Sequence, residues 1–242
     1  MAMSFECVSR THIGLRRKIN EDALFADTPR GLWVVADGMG GHEAGEIASN
    51  MVTDALRCLP PKNDIEELAA SAVETLHRVN RELVELAQSD GGAKSRTIGT
   101  TVVGLAIENG RYCCFWAGDS RAYLLRDTEI TRVSRDHSLV QNLVDAGMIR
   151  PDEADTHENA NLITRAVGVG KKFDVDVVRG EARPGDYFVL ASDGLTRVVS
   201  DSELAAELSG GPLVDVADKL IDMVLSRGAP DNVSLIIVKV GS

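Results

Sequence analysis

Three apolar segments of this chain run through small residues into an aspartate: "WVVADG" (33–38), "FWAGDS" (115–120) and "YFVLASDG" (187–194). Two more acids stand nearby in kind, Asp22 in "NEDAL" and Asp231 in "APDNVS", the latter just ahead of the apolar run "VSLIIVKV". A single Asp-Gly pair is ordinary turn chemistry. Three acid-tipped strands ask for more, because the strands of a sandwich bring their ends to one rim, where Asp22, Asp37, Asp119, Asp193 and Asp231 would meet. Crowded carboxylates raise one another's pKa unless a cation neutralises them, so convergence implies metal. The donors are hard oxygens, with no cysteine or histidine pair at ligand spacing, and this favours Mg²⁺ or Mn²⁺ over Zn²⁺. Gly38 and Gly194 directly follow their aspartates. Glycine lets the backbone turn sharply and, at Gly38, exposes a carbonyl as a further oxygen ligand.

The elements that must position these acids read as follows. Residues 42–59 carry Ile47, Met51, Val52, Ala55, Leu56 and Leu59 at helical spacing, stopped by Pro60 and Pro61. Residues 63–88 repeat the period over a longer run, with Asn63 or Asp64 as N-cap and Glu67 as its capping-box partner. From Thr100 the pattern changes to short strands over 100–107, 111–118, 121–126 and 129–134, the first two joined by the hairpin pair Asn109-Gly110. Weak helical spacing covers 137–157. Strands return at 173–181, 186–192 and 233–240, with a helix over 211–228 between the last two. Helices in pairs between runs of antiparallel strands exclude the βαβ rhythm of a parallel nucleotide-binding sheet. The expectation is an α+β, four-layer α-β-β-α sandwich, and "AVGVGKKF" (166–173), which lacks phosphate-loop spacing, is a turn.

At 242 residues and 44% hydrophobic content the chain can fill one large core, and no linker divides it, so 1–242 is read as one domain. The formal net charge of -11, with acids and bases interspersed and no basic track, argues against nucleic-acid binding. No basic start followed by an apolar core opens the chain, and no apolar run approaches the roughly 18 residues of a membrane span. A cytoplasmic monomer that binds no membrane is expected. Cys7, Cys58, Cys113 and Cys114 have no metal-site spacing and are read as free thiols, the last two packed in a strand.

Eight stretches, "RKINED" (17–22), "DGMGGH" (37–42), "GTT" (99–101), "GDSR" (118–121), "RDHS" (135–138), "LITRAVG" (162–168), "ASDG" (191–194) and "PDNVS" (230–234), resemble in order the motifs of bacterial metal-dependent protein phosphatases of type 2C. The resemblance runs from Thr11 to Val240. It implies a serine/threonine phosphoprotein phosphatase with two tightly bound Mn²⁺ or Mg²⁺ ions and a weaker third. Asp37 would bridge the two ions, Asp193 and Asp231 would complete the first site, and the Gly38 carbonyl would hold the second, with Glu21 and Asp22 beside it directly or through water. Asp119 would hold the third ion with Asp193. Arg17, which spacing alone reads as part of the solvated run Arg16-Arg17-Lys18, takes the place of the family's phosphate-gripping arginine. Residues 138–162 match the variable flap. Two ions about 3.5 to 4 Å apart would lower the pKa of a bridging water and present it as hydroxide for direct attack, without a phosphoenzyme.

The resemblance further implies phosphorylated proteins as partners, including a Ser/Thr kinase or its substrates, and the N-terminal half resembles small bacterial phosphatases that oppose such kinases, some accompanying type VI secretion. Met39 stands where animal relatives carry the histidine that protonates the leaving group, which leaves the general acid open. His42 and His137 are read as structural. Two other readings remain: a catalytically silent scaffold or phosphopeptide binder of the same fold, disfavoured by the intact acid set, and a two-metal phosphodiesterase or nuclease, disfavoured by the missing basic track.

Overall fold

The computed structural model describes residues 3–40, 43–60, 62, 64–89, 97–154 and 156–241. Strand β3 (Leu32–Met39) shows how its sequence dictates the architecture. Its apolar run is unbroken because both faces are buried: Leu32, Val34 and Ala36 point into one core, Trp33 and Val35 into another, the period-two alternation of a strand. Around it, β2 (Asp22–Asp27), β3, β5 (Val102–Glu108), β6 (Arg111–Ala117) and β9 (Asp176–Glu181) form one sheet in that order, with the two-residue β4 (Gly99–Thr100) also paired to β3. The second sheet runs β1 (Ser4–His12), β11 (Val233–Gly241), β10 (Tyr187–Ala191), β7 (Arg121–Arg126), β8 (Glu129–Arg132). Every pairing is antiparallel.

Three cores separate four layers. Trp33, Leu105, Trp116, Phe188, Leu190 and Ile236 fill the space between the sheets. Helices α1 (Ala44–Arg57) and α2 (Ile65–Ser89) pack Val52, Leu56, Leu76 and Leu83 on the outer face of the first sheet. On the other side the one-turn α5 (Asp193–Thr196), α6 (Asp201–Leu208) and α7 (Leu213–Ser226) do the same with Leu195, Leu204, Leu220 and Val224. Burying one such aliphatic side chain contributes roughly 1.5–3 kcal/mol, whereas an exposed ion pair such as Arg10–Asp218 contributes roughly 0–1 kcal/mol. The cores therefore decide the fold. No helix among the described residues is long and apolar enough to cross a membrane.

The α-β-β-α sandwich is as expected, and so is the hairpin: Asn109 and Gly110 have φ of 49° and 76°, the left-handed pair that a two-residue turn requires. Asp64 caps α2, its carboxylate accepting the Glu66 N–H; Asn63 lies outside the described residues. Differences are local. The strand expected over 100–107 is broken at Thr101, whose N–H turns to the Asp37 carbonyl at 2.8 Å. β1 went unremarked in the sequence because it is a sheet edge with only Val8 buried. α6 carries a full capping box, Ser200 with Glu203, that the sequence spelled as S-x-x-E. All four cysteines are free, and Cys113 and Cys114, adjacent in β6, enter the helix-side and inter-sheet cores respectively. Burial pushes the Cys113 thiol up to about 11, so it packs as a hydrophobe.

Between Ser138 and Ile163, which bridge each other, a segment with the short helices α3 (Leu139–Asp145) and α4 (Pro151–Ala154) stands outside the four layers. The Leu139 N–H donates to the Leu162 carbonyl at 2.9 Å, tying the segment at its base.

Candidate active site

Asp22 and Asp37 are direct cross-strand partners in β2 and β3. Like charges placed opposite each other oppose sheet formation, so the pair is kept for something other than the sheet. The Ser192 hydroxyl, at the end of β10 in the other sheet, donates to Asp22 Oδ2 at 2.9 Å, while Asp22 Oδ1 is buried without a partner. Asp37 is fixed through its backbone: its N–H donates to Thr101 Oγ1 at 3.2 Å and its carbonyl accepts from the Thr101 N–H. Thr101 Oγ1 lies 2.6 Å from Ser120 Oγ, which ties the β3 acid to the loop carrying Asp119. The break in the strand at Thr101 thus has a use.

Asp119 sits where the chain crosses from β6 to β7 and so from one sheet to the other. His137 holds this crossing. Its N–H donates to the Gly118 carbonyl at 2.9 Å, its Nδ1 accepts from the Gly118 N–H at 3.1 Å, and its Nε2 lies 3.2 Å from the Asp176 carboxylate. Burial lowers the His137 pKa, and the network assigns the neutral Nε2–H tautomer. The ring stacks on Trp116. His137 is a structural residue here, as read from the sequence.

Asp193 opens α5, and Asp231 lies two residues before β11. Gly194 is demanded by contact, since a Cβ there would lie 1.8 Å from the Asn232 carbonyl oxygen. At Gly38 a Cβ would lie 2.1 Å from the Gly45 carbonyl oxygen and 2.6 Å from that of Glu21. The sharp turn expected after each acid is not what the glycines provide: Gly38 continues β3 and Gly194 lies within α5, and each instead allows a close approach of backbones. Glu21 accepts the Gly45 N–H through Oε1 at 3.2 Å, against the first turn of α1, and its carbonyl accepts the Gly38 N–H at 3.1 Å. Asn232 fastens the loop that precedes it: Nδ2 donates to the Ile13 and Ile19 carbonyls, and Oδ1 accepts the Glu21 N–H at 2.9 Å.

These elements bring seven of the eight residues singled out in the sequence, Arg17, Glu21, Asp37, Gly38, Asp119, Asp193 and Asp231, to the wall of one cleft of about 520 Å³. Asp22 lies beneath it. His42 lies outside the described residues, and Met39 lines the cleft. Asn161 and Ile163 close it from the side of the segment over 138–162.

The electrostatics are those of too many acids. Burial, then the charges of Asp22, Asp193, Asp119 and Asp231, raise Asp37 well above the carboxylate range. Burial above all pushes Asp22 and Asp119 up to about 7. Burial also raises Asp193, which Arg197 counteracts. Two arginines answer the charge. Arg17 Nη2 is 2.6 Å from Asp231 Oδ2. Arg197 spans two acids, Nε 2.9 Å from Asp193 Oδ2 and Nη2 3.1 Å from Asp119 Oδ2. Among the described residues no three His, Cys, Asp or Glu side chains already converge as a closed ligand set. The donor chemistry still fits divalent cations: the side-chain donors are all oxygen, and Asp22 Oδ1 and Asp119 Oδ1 are buried without partners.

Sequence reasoning missed Arg197, Asn232, Ser192 and Thr101. Arg197 had a signal, standing four residues after Asp193 where one helical turn makes them neighbours. The Asn232 bonds cross some 200 residues of chain and left no local trace.

A four-layer sandwich with an acid-lined cleft at the rim of both sheets defines a domain of the metal-dependent hydrolase class. The protein phosphatase 2C family model matches residues 11–233, and the chain belongs to that family of metal-dependent serine/threonine phosphatases. It is 37% identical over 232 residues to the serine/threonine protein phosphatase PstP of Mycobacterium tuberculosis, a match covering 96% of this chain and 44% of that protein. The chain thus spans less than half the length of that relative. Among solved structures it is similar to the catalytic domain of PstP in complex with two manganese ions, with a TM-score of 0.88, 34% identity, and coverage of 99% of this chain and 100% of that one. It is also similar to PppA, described as a key regulatory component of the T6SS in Pseudomonas aeruginosa, with a TM-score of 0.90, 38% identity and 98% of each chain covered.

Proposed function

We propose that this protein removes phosphate from phosphoserine and phosphothreonine of proteins by direct hydrolysis. The observation that carries the reading is the meeting of Asp37, Asp119, Asp193 and Asp231 with Arg17 in one cleft. Asp37, Asp193, Asp231 and the Gly38 carbonyl would hold two Mn²⁺ or Mg²⁺ ions, with Glu21 and Asp22 beside the second. Asp119 and Asp193 would hold a weaker third. When bound, the ions supply positive charge against the phosphate oxygens and make a water nucleophilic at neutral pH. Arg17 captures the substrate: its fork, half-exposed beside Asp231, turns to grip two phosphate oxygens. Gly38 and Gly194 let neighbouring backbones approach closely beside the acids, and Asn232 keeps the Arg17 loop in place.

Residues 1–242 act as a single phosphatase domain with a flap over 138–162, working as a monomer in the cytoplasm. The likeness to PppA supports a role in regulating type VI secretion, and in such a system the phosphatase would act opposite a Ser/Thr kinase. The scaffold reading is disfavoured because the acid set is intact.

The test is hydrolysis of a phosphothreonine peptide with Mn²⁺, with Mg²⁺ and with excess chelator, run beside a nuclease assay. Peptide turnover that needs added cation, with no cleavage of nucleic acid, is the expected result. Full activity in chelator, or cation-dependent nuclease activity alone, overturns the proposal.

A further inference from the structure

Among the described residues that line the cleft, Arg197 is the one charged side chain that the proposed chemistry does not use. Its guanidinium lies between Asp119 and Asp193, donating through different nitrogens to one oxygen of each, and Nη2 also reaches the Ala160 carbonyl of the flap at 3.4 Å. The side chain is about one third exposed, whereas that of Asp119 is 6% exposed. Arg197, Asp119 and Asp193 form the wall between the active-site cleft and a second cavity of about 470 Å³ under the flap. A guanidinium can hold two carboxylates at once through different nitrogens, each contact a charge-assisted hydrogen bond.

We propose that Arg197 is a built-in counter-cation that competes with the third divalent ion for Asp119 and Asp193. The inference rests on the assignment of those two acids to a third ion. A divalent ion drawing on Asp119 and Asp193 finds Asp119 Oδ1 without a partner, but the other Asp119 oxygen and one Asp193 oxygen are already held by Arg197, and two cations on the same pair of acids repel each other. Arg197 then swings away and its contact with the Ala160 carbonyl is lost. Occupancy of the third position and the seating of the flap are thereby one equilibrium. Arg197 is a positioning residue in this scheme: it touches neither phosphate nor the acids' role in holding the first two ions beyond its one bond to Asp193.

The test uses the whole chain and Mn²⁺ alone, without substrate. Mn²⁺ binding is followed by titration calorimetry and by the electron paramagnetic resonance signal of free Mn²⁺, for the native protein, Arg197→Gln and Arg197→Lys. Charge-assisted hydrogen bonds of this type are strong enough that losing them should tighten the third Mn²⁺ by about tenfold or more in Arg197→Gln, with the affinities of the first two changed far less. Arg197→Lys, a point charge without the fork, should fall between. Hydrogen exchange of residues 139–162 in the native protein should quicken as the third ion binds, and in Arg197→Gln should be fast from the start. An unchanged or weaker third affinity in Arg197→Gln, in a protein whose first two sites fill normally, overturns the inference and leaves the phosphatase reading standing. Absence of any tight Mn²⁺ binding in the native protein sinks that reading as well.

Discussion

Asp37 faces Asp22 across two strands and shares the cleft with Asp119, Asp193 and Asp231, so each acid in the cleft feels several others. Replacing Asp37 or Asp193 by Asn keeps the shape and removes a charge that divalent ions need. Turnover on a phosphothreonine peptide should fall by on the order of a hundredfold or more. Turnover within a few-fold of native at saturating Mn²⁺ would place the chemistry elsewhere. Arg17→Ala is a different case, because the proposed role of this side chain is to capture phosphate rather than to activate water. KM should rise with a smaller loss in kcat, and an unchanged KM would return Arg17 to the solvated run it shares with Arg16 and Lys18. The acids themselves were legible because strand ends advertise them in sequence. Their supports, Thr101, Ser192 and Asn232, stand inside the matched motifs, but their roles were not legible, because their bonds run to partners far away in the chain.

At the scale of elements, two short helices separate stability from function. In α6 the Ser200 hydroxyl caps the helix and Glu203 returns the bond, and neither residue lines the active-site cleft. Ser200→Ala should lower unfolding free energy by about 1 kcal/mol, with kcat and KM preserved; a kinetic change would show that α6 reaches the site. In α5 the constraint is Gly194. Its missing Cβ would sit 1.8 Å from the Asn232 oxygen, so Gly194→Ala must move either Asp193 or the Asn232 anchor. Loss of Mn²⁺ affinity should exceed the loss of thermal stability, and native Mn²⁺ affinity would contradict the contact. Periodicity revealed the long helices and the strands buried on both faces. It did not reveal β1, whose side chains are mostly half-exposed, nor the break at Thr101, where a tertiary hydrogen bond overrides a continuous β pattern.

The molecule as a whole carries the electrostatic strain of its site. Asp22 and Asp119 have ordinary values near 3.8 unfolded and about 7 folded. A raised folded pKa gives stability that is full below the unfolded value and is lost as pH rises through the folded one. Asp37 and Asp193 shift in the same direction. His137, lowered by burial, opposes them below its ordinary value of 6.5, but it is one group against four. Glu203, held down to about 2 by Arg227, changes charge only at lower pH. In chelator, Tm should therefore fall between pH 5 and 8, and the gain in Tm on adding Mn²⁺ should be larger at pH 8 than at pH 5.5, because binding expels protons. A metal-free Tm that is flat or rises over this range would contradict the burial of the acids.

β11 is flanked by β1 on one side and β10 on the other, and it is the last strand in chain order. During synthesis β1 emerges first yet has no sheet to join until some 220 residues later, when β11 leaves the ribosome. Asp231 and Asn232 arrive in that same short stretch, together with the anchor for the Arg17 loop. Until β11 has been made, the chain therefore lacks Asp231, the anchor for the Arg17 loop and the strand that joins β1 to its sheet, and the candidate site is incomplete.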